Sequence, residues 1–385
     1  MLKSNKIYLD YASGASPNPS SIHASGVKAK KKLEDARTKV ARILGARPDE
    51  IIFTSGGTES NNLAIQGIIS VSFSHIVTTN IEHVSVLETC RMLERRGLAK
   101  VSIVPVERNG IVDPKKIKNA MRENTALVSV MCANNEIGTI QPIREIAKEI
   151  RHWKKEKRKD FPFFHVDAVQ ASNYLDLDTA RLGADMMSIS GSKIPGSGGA
   201  GALYKKREIS LRPIMAGGDQ EMGLRPGTEN VEAIVQFADA FELAQKIKDK
   251  EFKRLEKLRD YFFTELEKVS KRHFDIKKNG DLKNRLPNNI NITVKNIPSD
   301  LLVIELSEKG IMVSGKSACR AKDGKVSHVL QAIDKNIKKE DGAVRFSLGS
   351  DTTKKDIDTA IKVLSEILTK LKKWYISTPV KVEMK

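Results

Sequence analysis

The chain has 385 residues, of which 40% are hydrophobic and 30% charged, with a formal net charge of +18. This length and composition are ordinary for a globular protein with a sizeable core, and no run approaches the roughly 20 apolar residues that span a bilayer. Cys90, Cys132 and Cys319 are too few and too scattered for a disulfide framework, and no pair has metal-ligand spacing, so we expect no metal. MLKSNKIYLD has no apolar segment after its basic residues, so a cytoplasmic location without membrane contact is the expectation.

The basic excess reflects 66 Lys and Arg residues against 48 Asp and Glu. The lysines form short runs on apparent helix faces, and aromatic residues, 5% of the chain, are not interleaved with them. A single-strand nucleic-acid binder would need such aromatic platforms. We therefore interpret the charge as a solvated basic surface and do not expect direct nucleic-acid binding.

From residue 24 to about 245, helical patterns alternate with short apolar runs. After an amphipathic helix over 24–45 come the runs IIFTS, HIVTT, VSIVPV, LVSVMCA, FFHVDA, MMSIS and GALY. A helix is predicted between each run and the next, except between MMSIS and GALY. This alternation predicts an α/β fold with a mostly parallel sheet covered by helices. Because ligands collect at the carboxyl ends of such strands, the loops after IIFTS, LVSVMCA, FFHVDA and MMSIS should meet at one site.

The pattern changes after about residue 245. A long polar helix over 241–271 is followed by the strand NNINITVKN, the helix DLLVIELSEKG, the strand AVRFSLG and a last helix from about 353 to 371. We predict a large domain over 18–245 and a small α+β domain formed by 1–17 and 246–385.

The segment TSGGTESNN, residues 54–62, runs from a predicted strand through a glycine turn into a helix. Gly56 and Gly57 would let the backbone approach an anion, and the free N–H groups of a helix N-terminus bind phosphate. The Thr58 hydroxyl would add a further donor. The alternative is a plain helix cap at Thr58, with Glu59 in the first turn.

Asp167, in HVDAVQ, ends an apolar strand, where a carboxylate is costly unless it is paired. It could meet the ring N–H of a pyridine-type cofactor; the alternative is a helix N-cap. Lys193, in SISGSK, follows the next strand among small residues, which suits a lysine that binds a cofactor covalently. Most lysines are only solvated surface residues, but here a phosphate loop, a strand-end Asp and the Lys follow one another on successive strands.

Cys319 lies in the Gly/Ser/Ala-rich segment VSGKSACRA, which predicts an accessible thiol. Cys90 and Cys132 occur within a helix and a strand pattern, and we expect both to be small buried hydrophobes. Arg345, in RFSLG, can grip a carboxylate through two parallel hydrogen bonds, with a structural ion pair as the alternative.

Taken together, the motifs resemble the cysteine desulfurases of the class V aminotransferase family, which have the pyridoxal-phosphate (PLP) fold type I. The resemblance covers about residues 6–371 and rests on YLDYAS, NPSSIHASG, TSGGTESNNLAI, EHVSV, NNEIGTIQPI, HVDAVQ, SGSK, GGDQEMGLRPGTEN, SGKSAC and RFSLG. The uninterrupted segment CRAKDGKVSHVL is similar to the housekeeping and nitrogen-fixation type. The resemblance implies a large domain with a seven-stranded sheet and a small C-terminal domain.

The resemblance also implies a role for each matching residue. Lys193 would bind PLP covalently and take the substrate α-proton, His83 would stack on the ring and assist proton transfer, and Cys319 would accept the sulfur. The other cofactor contacts would be Asp167 with the ring nitrogen, Gln170 with the phenolic oxygen, Gly57, Thr58, Ser190 and Ser192 with the phosphate, and Thr228 with the phosphate of the neighbouring subunit in a homodimer. Asn135, beside the cofactor, and Arg345 would bind the substrate carboxylate.

These implied roles are those of a cysteine desulfurase. L-cysteine would become L-alanine, and the persulfide on Cys319 would pass to an iron–sulfur scaffold or another sulfur-acceptor protein. There are three alternatives: selenocysteine lyase, some other class V PLP enzyme, or a weakened homologue that acts as a binding protein. The acceptor thiol argues against an aminotransferase.

Two features depart from the family pattern. Ser192 stands where the family has a His directly before the PLP lysine, so an imidazole contact to the phosphate is lost and we expect weaker PLP retention. Between YLDYAS and NPSSIH, only Gly14–Pro17 remains of a longer segment that contains a helix near the substrate entrance. We expect a more open site or an altered acceptor surface.

Overall fold

The structure is a computed structural model that describes residues 7–69, 74–271, 275–315, 326–338 and 340–375. Its large sheet contains β1 (Ile51–Thr54), β2 (Ser74–Thr79), β3 (Ala99–Val104), β4 (Thr125–Met131), β5 (Phe163–Asp167), β6 (Met186–Ser190) and β7 (Gly201–Lys205). The strands pair in the order β1-β7-β6-β5-β4-β2-β3, and all neighbours are parallel except the two pairs made by β7. The predicted α/β fold with a mostly parallel seven-stranded sheet is confirmed.

Helices cover both faces of this sheet. They are α1 (Ala24–Leu44), α2 (Gly57–Ile68), α3 (Val84–Arg95), α4 (Pro114–Ala120), α5 (Ile143–Lys157) and α6 (Thr179–Leu182). Ile51 and Phe53 belong to the apolar cluster on one face, while Ile52 belongs to the cluster on the other. Because successive strand residues point to opposite faces and both faces are covered, the strands read as continuous apolar runs.

A second, smaller sheet is antiparallel and has the order β10-β9-β8. The elements that follow the large sheet are α7 (Val231–Ser270), β8 (Ile276–Lys278), β9 (Asn289–Val294), α8 (Ser299–Glu308), α9 (His328–Ile333), β10 (Gly342–Ser347) and α10 (Lys354–Tyr375). Phe262, Leu306, Phe346 and Leu364 belong to its separate apolar cluster.

The long helix α7 was predicted to start at residue 241, but it begins at Val231 and runs unbroken for 40 residues. Its first part packs Ile234 and Phe237 into the core of the large sheet, and its later part packs Leu255 and Phe262 into the second core. One apolar stripe therefore serves both cores, and the predicted limit of the large domain at residue 245 falls inside this helix.

The prediction of a helix between FFHVDA and MMSIS is largely wrong. Residues 168–175 form turns, and only the four residues of α6 are helical. Asp178 caps α6 by accepting a hydrogen bond from the Arg181 N–H, and Gly183, with φ of 71°, ends it. An N-cap and a left-handed glycine this close together leave room for a single turn.

Asp10 connects the residues on either side of the short Gly14–Pro17 link. Its carboxylate accepts hydrogen bonds from Ser13 Oγ at 2.6 Å and Ser21 Oγ at 3.0 Å, and pairs with His23 Nε2 at 3.0 Å. His23 Nδ1 accepts the Gly26 N–H and so caps α1. These contacts anchor the segment, although the Leu9 side chain beside Asp10 is 90% exposed.

Cys90 and Cys132 are buried, as predicted, and burial raises the pKa of each thiol to about 12. Neither is suited to act as a nucleophile, because the thiolate is the reactive form. None of the helices in the described ranges is long and apolar enough to cross a membrane.

Candidate functional site

A cavity of about 860 Å³ lies at the carboxyl ends of β1, β4, β5 and β6. The four loops that the sequence predicted to meet do line it together, and residues of α7 and β10 complete the lining. The predicted site residues in its wall are Gly57, Thr58, His83, Asn135, Asp167, Gln170, Ser190, Ser192, Lys193 and Arg345. Thr228 is exposed and is not part of this wall, and Cys319 lies outside the described residues.

The N-terminus of α2 forms one end of the cavity. Its N-cap is Gly56, with φ of 151° and no side-chain cap, so the alternative of a cap by Thr58 is wrong. A Cβ at Gly57 would lie 2.5 Å from Val169 Cγ2, so glycine is needed for the close approach of the loop after β5. First-turn N–H groups have no intrahelical acceptor, and here they face a polar wall in which the hydroxyls of Ser190 and Ser192 lie 3.0 Å apart.

Asp167 ends β5 in a buried position. Its Oδ2 accepts a hydrogen bond from Asn61 Nδ2 at 2.8 Å, and its Oδ1 accepts the Val169 N–H at 3.1 Å. Burial raises the pKa of this carboxyl, while the two hydrogen bonds and His83 oppose the rise. No helix starts here, so the alternative of a helix N-cap is not observed. The carboxylate retains free lone pairs for a cationic N–H donor.

His83 caps the N-terminus of α3 and lines the cavity. Its Nδ1 accepts the Ser85 N–H at 3.2 Å and lies 2.8 Å from Ser85 Oγ. A neutral imidazole whose Nδ1 accepts must carry its proton on Nε2. The preceding residue, Glu82, is fully buried, and burial raises its pKa to about 8.

Lys193 closes a short 3₁₀ turn after β6, and Asn173 Nδ2 donates to its carbonyl oxygen at 2.5 Å. The side chain is exposed to the cavity. Among the described residues, no carboxylate lies within ion-pair distance of its ammonium group. A lysine so placed is available to react with a bound molecule.

Arg345 reaches the cavity from β10. Its Nη1 donates to the Asn135 carbonyl oxygen at 2.9 Å and its Nη2 to Ser314 Oγ at 3.3 Å, while its buried Nε has no partner within the described ranges. Burial lowers the pKa of this guanidinium, and Glu136 opposes the shift. No ion pair of Arg345 occurs in the described part of the chain, which disfavours the structural alternative.

Residues that the sequence did not single out hold the loop that carries Asn135. The Glu136 carbonyl oxygen accepts hydrogen bonds from Asn289 Nδ2 and Asn291 Nδ2, each at 3.0 Å. The buried Arg285 donates to the Ile137 carbonyl oxygen at 2.5 Å. The polar alternation in NNINIT was the available signal, because both asparagines would share one face of a predicted strand.

Asn61 was also missed as a site residue. It occupies a buried position of α2 next to Ser60 and near Leu63 and Ala64, so an amide in an apolar stripe was the available signal. Within the residues that the structure describes, no three His, Cys, Asp or Glu side chains are grouped to hold a metal ion.

Comparison with known proteins gives consistent matches. The family model described as Aminotransferase class-V matches residues 2–360. A cysteine desulfurase IscS of Dictyoglomus turgidum is 44% identical over 358 residues, which cover 92% of this chain and 88% of the relative. A solved NifS-like protein has a TM-score of 0.83 and 36% identity over 92% of each chain. A solved structure described as SspA in complex with cysteine has a TM-score of 0.70 and 34% identity, covering 86% of this chain and 90% of that one.

Proposed function

The chain belongs to the class V aminotransferase family, and on this basis we propose that it is a PLP-dependent cysteine desulfurase that converts L-cysteine to L-alanine and passes the sulfur to an acceptor protein. The observation that carries the proposal is the meeting of three groups in one cavity. These are the uncapped N-terminus of α2, the buried Asp167 carboxylate and the Lys193 ammonium group.

The residues of the cavity fit PLP. The first turn of α2 and the Ser190 and Ser192 hydroxyls offer donors for a phosphate. Asp167 offers a buried carboxylate with free lone pairs, which suits a protonated ring nitrogen. Gln170 lines the same wall and is proposed to contact the phenolic oxygen. When bound, the cofactor would supply an electron sink for the substrate α-carbon.

The chain's own residues would bind the substrate and move its protons. Arg345 would bind the carboxylate of L-cysteine together with Asn135, since a guanidinium makes two parallel hydrogen bonds to a carboxylate. Lys193 Nζ would take the α-proton, and His83, whose Nδ1 accepts the Ser85 N–H, would donate a proton from Nε2.

We propose Cys319 as the sulfur acceptor, although it lies outside the described residues. Its thiolate would attack the substrate sulfur, so that the C–S bond breaks as an S–S bond forms. The electron pair of the broken bond stays with the carbon skeleton, which takes up protons to become L-alanine. The persulfide would then pass to an iron–sulfur scaffold or another acceptor protein.

A homodimer is part of the proposal, because Thr228 is exposed outside this cavity and is free to reach the phosphate of a neighbouring subunit. We also propose a cytoplasmic location. Cys90 and Cys132 are free thiols, which is ordinary in reducing compartments.

The test is to record the absorbance spectrum of the purified protein and then follow sulfide and alanine after L-cysteine and a reductant are added. We expect a yellow protein that releases both products. Cys319→Ala should keep the colour and stop sulfide release, whereas Cys90→Ala, which removes a buried thiol, should keep both. Lys193→Ala should lose the covalent cofactor signal.

A yellow protein that releases neither product would refute cysteine desulfuration as its unaided activity. A higher kcat/KM for L-selenocysteine than for L-cysteine, with elemental selenium released independently of Cys319, would favour selenocysteine lyase instead.

A further inference from the structure

Asn61 and Ser85 connect His83 to Asp167 through an unbroken chain of hydrogen bonds. Asn61 Nδ2 lies 2.8 Å from Asp167 Oδ2 and 2.9 Å from Ser85 Oγ. Ser85 Oγ in turn lies 2.8 Å from His83 Nδ1. The four side chains come from the end of β5, the first turns of α2 and the start of α3, and all of them line the cavity.

The available donor protons determine the direction of each hydrogen bond between Asp167 and His83. The amide nitrogen of Asn61 has two protons, one for Asp167 and one for Ser85. Ser85 Oγ accepts from Asn61 and donates its own proton to His83 Nδ1, because the backbone contact to that nitrogen makes it an acceptor. The Ser85 N–H, 3.2 Å from the same nitrogen, reinforces this arrangement.

The opposite orientation of the Asn61 amide is unfavourable. It would place Asn61 Oδ1 against Asp167 Oδ2, and two acceptor oxygens repel each other unless the carboxyl is protonated. In the observed orientation Asn61 Oδ1 is buried without a partner in the described part of the chain. Among the residues described, the Asn61 amide leaves its oxygen unpaired while its nitrogen donates to both Asp167 and Ser85. This indicates that the nitrogen is the functional end of the amide.

We propose that Asn61 and Ser85 are positioning residues that keep Asp167 an ionised acceptor and His83 the Nε2–H tautomer. The pair would thereby set the protonation states of the two groups that, under the proposed function, contact the cofactor ring. The proposal deepens the proposed function, but the tautomer of His83 is a property of the protein itself.

The first test is nitrogen NMR of the ¹⁵N-histidine-labelled protein, as purified and after cofactor removal, above the titration range of imidazole. His83→Asn assigns the resonance among the seven histidines. We expect the Nε2–H tautomer in the wild type. Ser85→Ala removes the hydroxyl donor, so the Nδ1–H fraction should rise about fivefold, the effect of one net hydrogen bond. Asn61→Ala should shift it in the same direction.

Two variants separate positioning from a general structural effect. Ser85→Thr keeps the hydroxyl and should restore the wild-type tautomer. Thr89→Val removes another hydroxyl of α3, which bonds the Asn62 side chain and the main-chain carbonyl of Ser85 but none of the four linked side chains, and should leave the tautomer unchanged. An unchanged tautomer in Ser85→Ala, or an equal shift in Thr89→Val, would overturn the proposal.

The second test is a fluorescence titration with PLP. Asn61→Ala should weaken PLP binding about tenfold, because a hydrogen bond to a charged carboxylate is lost. An affinity equal to that of the wild type would refute the part of the proposal that concerns Asp167. If the wild type itself binds no PLP, the proposed function fails, whereas the tautomer comparison still decides the role of Ser85.

Discussion

Arg225 Nε donates to Glu59 Oε1 at 3.0 Å and so ties the loop before α7 to the first turn of α2. The other oxygen of Glu59 accepts the Ser55 N–H at 2.7 Å. Burial alone would raise the pKa of Glu59, but the hydrogen bonds from Ser55 and the charge of Arg225 outweigh it, so the pKa lies below its ordinary value. Arg225 therefore offsets a negative charge next to Thr58, where the phosphate is proposed to bind.

Arg225→Met should weaken PLP binding about tenfold, because an uncompensated Glu59 carboxylate then faces the phosphate across a partly buried site. Fluorescence titration with PLP measures the affinity. The double variant Arg225→Met/Glu59→Gln should recover most of it. Arg207→Met, which breaks an exposed ion pair with Asp49, serves as the control and should have no effect. An unaltered affinity in Arg225→Met would contradict this role.

Ser192→His should strengthen PLP retention several-fold. The imidazole adds a hydrogen-bond donor beside the Ser190 hydroxyl, which now lies 3.0 Å from Ser192 Oγ. Ser192→Ala should shift the affinity in the opposite direction. The same titration decides the matter, and a Ser192→His variant with wild-type affinity would show that the missing imidazole is unimportant here.

Arg345→Lys should raise the KM for L-cysteine about tenfold and leave PLP affinity unchanged. The ammonium group of a lysine, unlike a planar guanidinium, cannot donate to the Asn135 carbonyl oxygen and also make two parallel hydrogen bonds to a carboxylate. Steady-state kinetics of alanine release provides the measurement, with Arg207→Lys as the control at an exposed arginine. If the KM stays the same, Arg345 does not bind the substrate.

Glu82 should make the protein less stable as the pH rises. Its pKa is raised by burial from 4.5 to about 8, so between these values the folded protein holds a proton that the unfolded chain releases. The free energy of unfolding then falls with a slope of up to about 1.4 kcal/mol per pH unit. Between pH 6.5 and about 8, where His165 and His75 are neutral in both the folded and the unfolded states, urea unfolding should show a flatter profile for Glu82→Gln. The exposed control Glu123→Gln should follow the wild type. A Glu82→Gln profile as steep as the wild type would exclude the buried carboxyl as the cause.

Two buried histidines should make the protein less stable as the pH falls. Burial lowers the pKa of His165 from 6.5 to about 3, and burial with the Arg122 charge lowers that of His75 to about 4. The unfolded chain takes up protons that the folded protein excludes, so stability is lost as the pH falls below 6.5, with a slope of about 1.4 kcal/mol per pH unit for each group.

Urea unfolding of His165→Gln tests this acid limb. The variant should have a shallower slope, at the cost of some stability near neutral pH, because His165 bonds Ser129 Oγ and Ser188 Oγ at 2.9 Å each. His152, whose side chain is 59% exposed, offers the control His152→Gln, for which we expect the wild-type slope. Equal slopes in His165→Gln and the wild type would refute the assignment.

The sequence by itself determined the order and type of most elements and many of the residues around the cavity, although not Asn61. The strands and helices were readable because apolar residues recur at local periods, and Gly56, Asp167 and Lys193 follow strands whose carboxyl ends share one edge. Prediction from the local sequence pattern failed where a helix was very short and where one helix continued from the first core into the second. It misjudged the turns after β5, and it started α7 too late.

Only the tertiary structure decided which polar groups meet. Asn61 lies 106 positions from Asp167, and Arg225 lies 166 positions from Glu59, yet each pair is hydrogen bonded. No local period relates residues so far apart. The contact between Asn61 and Asp167 arises because β1 and β5 run in the same direction, so that α2 begins at the edge of the sheet where β5 ends. Burial makes such a hydrogen bond matter, since an unpaired polar group inside the protein is costly.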